Sequence, residues 1–238
     1  RHTRLQGDWS SDVCSSDLEK PLIIAAMQDM GNVGNIVIDF LNKSKNTAAF
    51  RRADSTELSY VLDKGGHIEI PKEGWNYKYS QNIIIFGGGS GQPKTSEELH
   101  ELCQDVINVA KKYSVKFIYT VGGFHTQRII REEPKTYVTT TSQDLSKQLE
   151  KMGISMTPAK SVITGFNGLI LGYAKLNDIY GIGLYGEIDE PSIPQYRTAK
   201  SVVKTLEKMT YQNFGSTQEL DSMASEVDKK LRSGWKVD

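Results

Sequence analysis

Leu22 to Met27 (LIIAAM), then Gln28-Asp29-Met30-Gly31-Asn32-Val33-Gly34, then Ile36, Val37, Phe40 and Leu41 together decide how this chain folds. An almost unbroken apolar run that stops at a polar, glycine-bearing turn is the pattern of a strand buried on both faces. Apolar residues at three- and four-residue spacing directly after the turn predict a helix packed on that strand. The stretch opens a βα unit.

The same alternation recurs along the chain. Asn82 to Phe86 (NIIIF) predicts a second central strand, which runs into Gly87, Gly88, Gly89, Ser90 and Gly91. Thr95 with Glu98 three residues on forms a capping box for the next helix. Leu99, Leu102, Cys103, Val106, Ile107 and Ala110 make one apolar stripe of that helix, so Cys103 is expected in the core rather than as a nucleophile. Val115 to Val121 predicts a third strand, closed by Gly122-Gly123. Shorter strands are expected at Thr47–Phe50, at Val138–Thr140, and at Tyr60–Leu62 and His67–Ile70 around the Gly65-Gly66 turn. Thr141 with Asp144 is expected to cap a helix through Leu149, and Leu169–Leu176 to form another after Gly165, Asn167 and Gly168. Ile179–Tyr185 supplies a further strand, and Ala199, Val202, Val203, Leu206 and Met209 the stripe of a helix after Pro194. A last helix, capped by Ser216 and Glu219, carries Leu220, Met223, Val227 and Leu231 on one side. Strand, glycine-bearing turn and helix in repetition predict an α/β fold with a mostly parallel sheet covered by helices.

The 238 residues suit one hydrophobic core. With 29 basic and 29 acidic residues there is no global field to attract nucleic acid or an anionic membrane, and no apolar run is long enough to span a bilayer. Two cysteines fit a reducing compartment, so the expected location is the cytoplasm. Arg1 to Leu18 (RHTRLQGDWSSDVCSSDL) has no helical or strand period. Its Gly7–Leu18 portion resembles a translated sequencing-adapter remnant, which would leave Trp9 and Cys14 without biological meaning. The expected division is a non-native or disordered tail over 1–20, a folded domain over 21–210 and a C-terminal helical extension over 211–238.

Two glycine-rich turns approach nucleotide motifs and miss. Gly88 to Thr95 (GGSGQPKT) differs from a phosphate loop by Pro93, which removes an N–H where that loop needs its second glycine. Met27 to Gly34 keeps only Gly31 and Gly34 of a dinucleotide fingerprint, and Asp29 would repel a pyrophosphate. Ligands of open sheets gather beyond the carboxyl ends of the strands. The residues expected around such a crevice are Asp29, Gly31, Gly34, Gly122, Gly123, His125, Asn167, Gly168 and Glu187, with Gln28 beside them. Asp29 and His125 form a conceivable general-base pair, but no G-x-S-x-G elbow supplies a nucleophile. His67, His100 and His125 lie on separate elements without metal-ligand spacing. No catalytic residue, metal or cofactor is assigned, and no nucleic-acid module is recognisable.

In chain order, several modest signals then accumulate: Gly31-Asn32-Val33-Gly34 with its helix through Asp39, Gln92-Pro93, Thr120-Val121-Gly122-Gly123, the ITGFNGLIL segment containing Gly165, Asn167, Gly168 and Leu169, Leu184-Tyr185-Gly186-Glu187 before the turn Pro191 to Pro194, and Arg197-Thr198-Ala199. Over Pro21–Met209 the chain resembles the proteasome assembly chaperone family in its archaeal and bacterial branch, sometimes labelled an ATP-grasp or carboxylate-amine ligase family. The resemblance implies a three-layer fold similar to phosphorylases and peptidyl hydrolases, with no established catalytic site. It further implies protein partners, among them proteasome α-type subunits, and homo-oligomers. Its docking tail would carry a penultimate tyrosine, whereas this chain ends Trp235-Lys236-Val237-Asp238. Two other readings stay open. One is a small-ligand-binding protein, or a nucleotide-dependent ligase or hydrolase, working in the strand-end crevice. The other is an oligomeric structural protein associating through its last helix.

Overall fold

A computed structural model describes residues 7–9, 21–55, 60–71, 73–89, 91–126, 129–130, 132–158 and 162–233. Ten strands are present among them: β1 (Gly7–Trp9), β2 (Leu22–Ala26), β3 (Ala48–Asp54), β4 (Leu62–Asp63), β5 (Ile68–Glu69), β6 (Gly74–Ser80), β7 (Ile83–Gly87), β8 (Phe117–His125), β9 (Thr136–Thr140) and β10 (Tyr180–Ile188). Six helices accompany them: α1 (Val33–Ser44), α2 (Ser96–Lys112), α3 (Gln143–Lys151), α4 (Gly165–Leu176), α5 (Tyr196–Thr210) and α6 (Gln218–Arg232).

Eight strands form one sheet in the order β1-β3-β6-β7-β2-β8-β10-β9, and β4-β5 form a sheet of their own. The four central strands β7, β2, β8 and β10 are parallel, as their apolar runs require. The expectation of a mostly parallel sheet is corrected at both flanks, where β1, β3, β6 and β7 pair antiparallel and β9 runs antiparallel to β10. The reason is connection length. Only Gln81 and Asn82 separate β6 from β7, too short for the crossover that parallel neighbours need, and Gln81 takes a left-handed φ of 50° to make the turn.

β6 itself is absent from the sequence prediction. Its GWNYKYS sequence lacks the aliphatic signature, yet Trp75 and Tyr77 alternate inward and are fully buried. β8 also runs on past the expected stop at Gly122-Gly123 to His125, because both glycines pair in register with Tyr185 and Gly186 of β10. Ser142 rather than Thr141 caps α3, its hydroxyl accepting the Leu145 amide at 3.4 Å.

Both faces of the sheet are covered. Ile24 and Ala26 of β2, with Ile83 and Ile85 of β7, belong to a cluster with Val37 and Leu41 of α1 and Val202 and Leu206 of α5. Ile23 and Ala25, with Ile84 and Phe86, belong to the opposite cluster with Leu102, Val106 and Ile107 of α2 and Phe166 and Ile170 of α4. Cys103 is buried there, and burial pushes its thiol up to about 12, far from a thiolate at neutral pH. No helix among the described residues is long and apolar enough to cross a membrane.

The expected tail over 1–20 falls mostly outside the described residues; its Gly7–Trp9 pairs with Ala53, Arg52 and Arg51 at the edge of the sheet. The final residues 234–238, on which the comparison with a docking tail falls, also lie outside them. The expected extension after 210 shares the core of the body, since Phe214 and Leu220 belong to the same buried cluster as α1 and α5. Phe214→Ala should therefore destabilise the whole protein by about 3–4 kcal/mol, read as a shift of a single urea transition. An unchanged midpoint would mean that the segment folds apart from the body.

Candidate functional site

At the carboxyl ends of the parallel strands the chain leaves β2 for α1 on one side, and β8 continues toward β9 and β10 on the other. Between adjacent strands whose connections part in this way, an open sheet leaves a crevice. Asp29 fills it. Its Oδ1 accepts the Gly34 amide of α1 at 2.8 Å and its Oδ2 accepts the Gly123 amide of β8. Asn32, the N-cap of α1, makes no side-chain capping bond, so Asp29 satisfies a first-turn amide in its place.

Burial pushes the Asp29 carboxyl up to about 6, against the pull of the two amides. The glycines follow from this packing. A Cβ on Gly34 would stand 2.7 Å from the Met27 carbonyl oxygen, and one on Gly123 would stand 2.6 Å from that of Met30. Gly31 sits in a 3-10 turn, Met30–Asn32, with φ +68°, and pairs in both directions with the Pro191–Gln195 turn: its amide donates to Pro191 at 2.7 Å and its carbonyl accepts from Gln195 at 2.9 Å.

A cavity of about 430 Å³ opens above this bridge. Asp29, Gly122, Gly123 and Asn167 line it, so four of the nine expected crevice residues meet there. Asn167 holds the start of α4 on β8: its Nδ2 donates to the Val121 carbonyl at 3.0 Å and its carbonyl accepts from Thr120 Oγ1 at 3.3 Å. Gly31, Gly34 and Gly168 lie in the surrounding framework, Gly168 against the Ile163 carbonyl.

His125 and Glu187 do not line the cavity. His125 pairs with Ile188 at the end of β8, and no hydrogen bond joins it to Asp29 among the described residues. Glu187 is buried on the β9 side, accepting from the Lys135 amide at 3.0 Å and the Tyr137 hydroxyl at 3.1 Å.

Sequence reasoning missed the apolar wall, which includes Met30, Phe124, Val162, Ile163 and Tyr185, because apolar residues in turns or at strand ends carry no motif. It also left Gln92 out of the crevice. The Gln92 side chain donates to the Gln28 carbonyl at 3.0 Å and accepts the Phe166 amide of α4 at 3.2 Å, tying three connections together. The available signal was its place beside Pro93 in the ordered set of family residues. The phosphate-loop resemblance dissolves in the same region. Lys94 Nζ pairs with Glu73, the Lys94 amide donates to Glu98, and Trp75 Nε1 holds the Gly91 carbonyl at 2.9 Å. Thr95 caps α2 as expected, accepting from the Glu98 amide at 3.2 Å. Among the described residues no group of three or more His, Cys, Asp or Glu converges as ion ligands would.

Comparisons with known proteins give one consistent answer. Residues 23–233 match the model of the PAC2 family. An uncharacterised Methanocaldococcus jannaschii protein, MJ1210, is 26% identical over 218 residues, covering 90% of this chain and 80% of that protein. The crystal structure of Pyrococcus furiosus PbaB, described as an archaeal proteasome activator, superposes with a TM-score of 0.82 at 23% identity over 97% of this chain and 98% of that one. Pyrococcus furiosus PbaA, described as an archaeal homolog of proteasome-assembly chaperone, gives 0.75 at 24% identity over 91% and 92%.

The raised carboxyl fixes a pH dependence. Asp29 binds its proton more tightly folded than unfolded, so its contribution to stability is most favourable below about pH 4 and declines as pH rises from 4 through 6. The decline should be on the order of 2 kcal/mol. Asp29→Asn should remove that slope while costing about 1–2 kcal/mol at pH 5, because its Nδ2 faces one of the two amides without accepting from it. Urea titrations of both proteins between pH 4 and 8 check this, and parallel pH profiles would refute it.

Proposed function

Because the chain belongs to the PAC2 family, we propose that it is a non-enzymatic assembly chaperone or scaffold whose partners are proteasome-type subunits. The observation that carries the reading is the state of the crevice. Where an α/β sheet of this kind would offer backbone amides to a ligand's charge, the chain spends them on its own Asp29 carboxylate. Lys94, the cation nearest to a phosphate-loop lysine in sequence, is held by Glu73. The cavity carries polar groups such as Gln28, Gln92 and Asn167, but most of its wall is apolar and it holds no cation among the described residues, which suits a protein surface better than a phosphate.

In this reading the protein works in the cytoplasm, self-associates, and binds α-type subunits before or during ring assembly. The likeness to phosphorylases and peptidyl hydrolases is proposed for the architecture alone, with no activity attached. The descriptions of PbaB and PbaA lend the reading its type of partner.

Co-purification with the host's proteasome α subunits, followed by gel filtration of the mixture, tests it. Co-migration at micromolar concentrations is expected, together with no heat on titrating ATP and magnesium into the protein. Absence of co-migration would sink the chaperone reading, and a saturable ATP isotherm would favour a nucleotide-dependent enzyme instead.

A further inference from the structure

Among the described residues that line the strand-end cavity, Asp29 is the only one charged at neutral pH. The other ionisable group there is Tyr185, whose hydroxyl burial pushes up to about 12, so it stays protonated. No lysine, arginine or histidine stands on the described wall. The Asp29 carboxyl is shifted by burial and by backbone amides, and by no neighbouring charge. Two amides stabilise the carboxylate without neutralising it. Charges drawn out of water are ordinarily paired, so a carboxylate set among apolar side chains with no countercharge favours a cation from outside the chain.

A second acceptor lies beside it. Asn167 is 7% exposed and lines the same cavity. Its Nδ2 is committed to the Val121 carbonyl, while its Oδ1 has no hydrogen-bond partner among the described residues. The two side chains meet above the bare Cα of Gly122: a Cβ there would stand 3.1 Å from Asn167 Nδ2 and 3.1 Å from Asp29 Oδ2. Each Asp29 oxygen accepts one amide and has capacity for a further donor, so both side chains call for donated hydrogens. A metal ion does not meet that need. Magnesium and calcium take roughly six or more oxygen ligands, and no group of three or more His, Cys, Asp or Glu converges among the described residues. The rest of the wall, with Met30, Phe124, Val162 and Ile163, suits a carbon skeleton, and about 430 Å³ is the size of a small-molecule pocket.

We infer that the strand-end cavity binds an organic ammonium, a protonated primary amine on an apolar stem, which donates to Asp29 and Asn167 Oδ1 and lays its stem along the apolar wall. The charge answers the carboxylate, the several N–H groups answer two acceptors, and the stem replaces water on Phe124 and Ile163. A free amine and a lysine side chain of a partner present the same chemistry. The site is specified by the cavity's own groups and does not rest on the chaperone reading.

Titration of the full chain with 2-phenylethylamine, followed by calorimetry and by amide resonances, tests it. Saturable binding is expected at pH 7, with the Gly34 and Gly123 amides, both held by Asp29, among the resonances that move. The uncharged isostere 2-phenylethanol should bind at least about tenfold more weakly. The amine keeps its proton between pH 5 and 7, whereas the Asp29 carboxyl, at about 6, loses its own as pH rises. Affinity should therefore fall about tenfold from pH 7 to pH 5. Asp29→Asn should abolish both the preference for the amine and this pH dependence; if that variant does not fold, the alcohol comparison and the pH series on the parent decide. No saturable binding, equal binding of the alcohol, a flat pH profile, or binding that leaves Gly34 and Gly123 unmoved overturns the inference. Given binding, gel filtration with the host's α subunits identifies the source. Displacement of the subunits by the amine assigns the ammonium to a subunit lysine. Unchanged capture, or no capture at all, assigns it to a free amine, and the second of these counts against the chaperone reading alone.

Discussion

The bridge made by Asp29 holds the centre of this molecule together. One carboxylate takes an amide from the first turn of α1 and another from β8, so the end of the central strand, the helix that follows it and the neighbouring strand are fixed to a single side chain. A helix start normally finds such an acceptor at its N-cap, but Asn32 makes no capping bond here. The acceptor must therefore come from the turn before it, and the turn must bring backbone very close to backbone. Gly34 and Gly123 are the consequence, since a Cβ at either would collide with a main-chain oxygen.

The bridge also determines what the carboxyl end of the sheet can do. Amides that would otherwise attract an anion are already satisfied by the Asp29 carboxylate, whose pKa burial raises to about 6. Around it, the Gln92 side-chain amide and Asn167 Nδ2 bind connections to one another, while Asn167 Oδ1 is buried without a hydrogen-bond partner among the described residues. Much of what is left facing out is apolar: most of the cavity wall, with Met30 and Val162, and Ile68 and Ile70 on the β4–β5 hairpin. A surface of that composition gains by excluding water against another macromolecule. The chemistry of the site and the membership of the chain in the PAC2 family thus point the same way.

The runs of Leu22–Met27 and Asn82–Phe86 announced β2 and β7 because strands buried on both faces need apolar side chains at every position. The stripe through Leu102, Cys103 and Val106 announced α2 for the matching reason at helical period. β6 gave no such notice, because it borrows its burial from Phe50 and Phe86 through aromatic contacts that a single strand does not display. The crevice was half legible. Asp29, Gly122, Gly123 and Asn167 could be placed there, since strand ends can be read from apolar runs; His125 and Glu187 could not be excluded, because the direction of a side chain at the end of a strand depends on register.

The sequence by itself determined the α/β class, the central parallel strands, the two-sided core and the order of family residues, all of which follow from local period and composition. Tertiary structure alone decided the direction of the flanking strands, because strand direction is a property of how connections close in space. It alone joined Phe214 and Leu220 to the main core. And it alone showed that the carboxylate beside the glycine turn accepts from α1 and β8 at once, since the two amides, Gly34 and Gly123, are far apart in the chain and meet only when β2 and β8 pair.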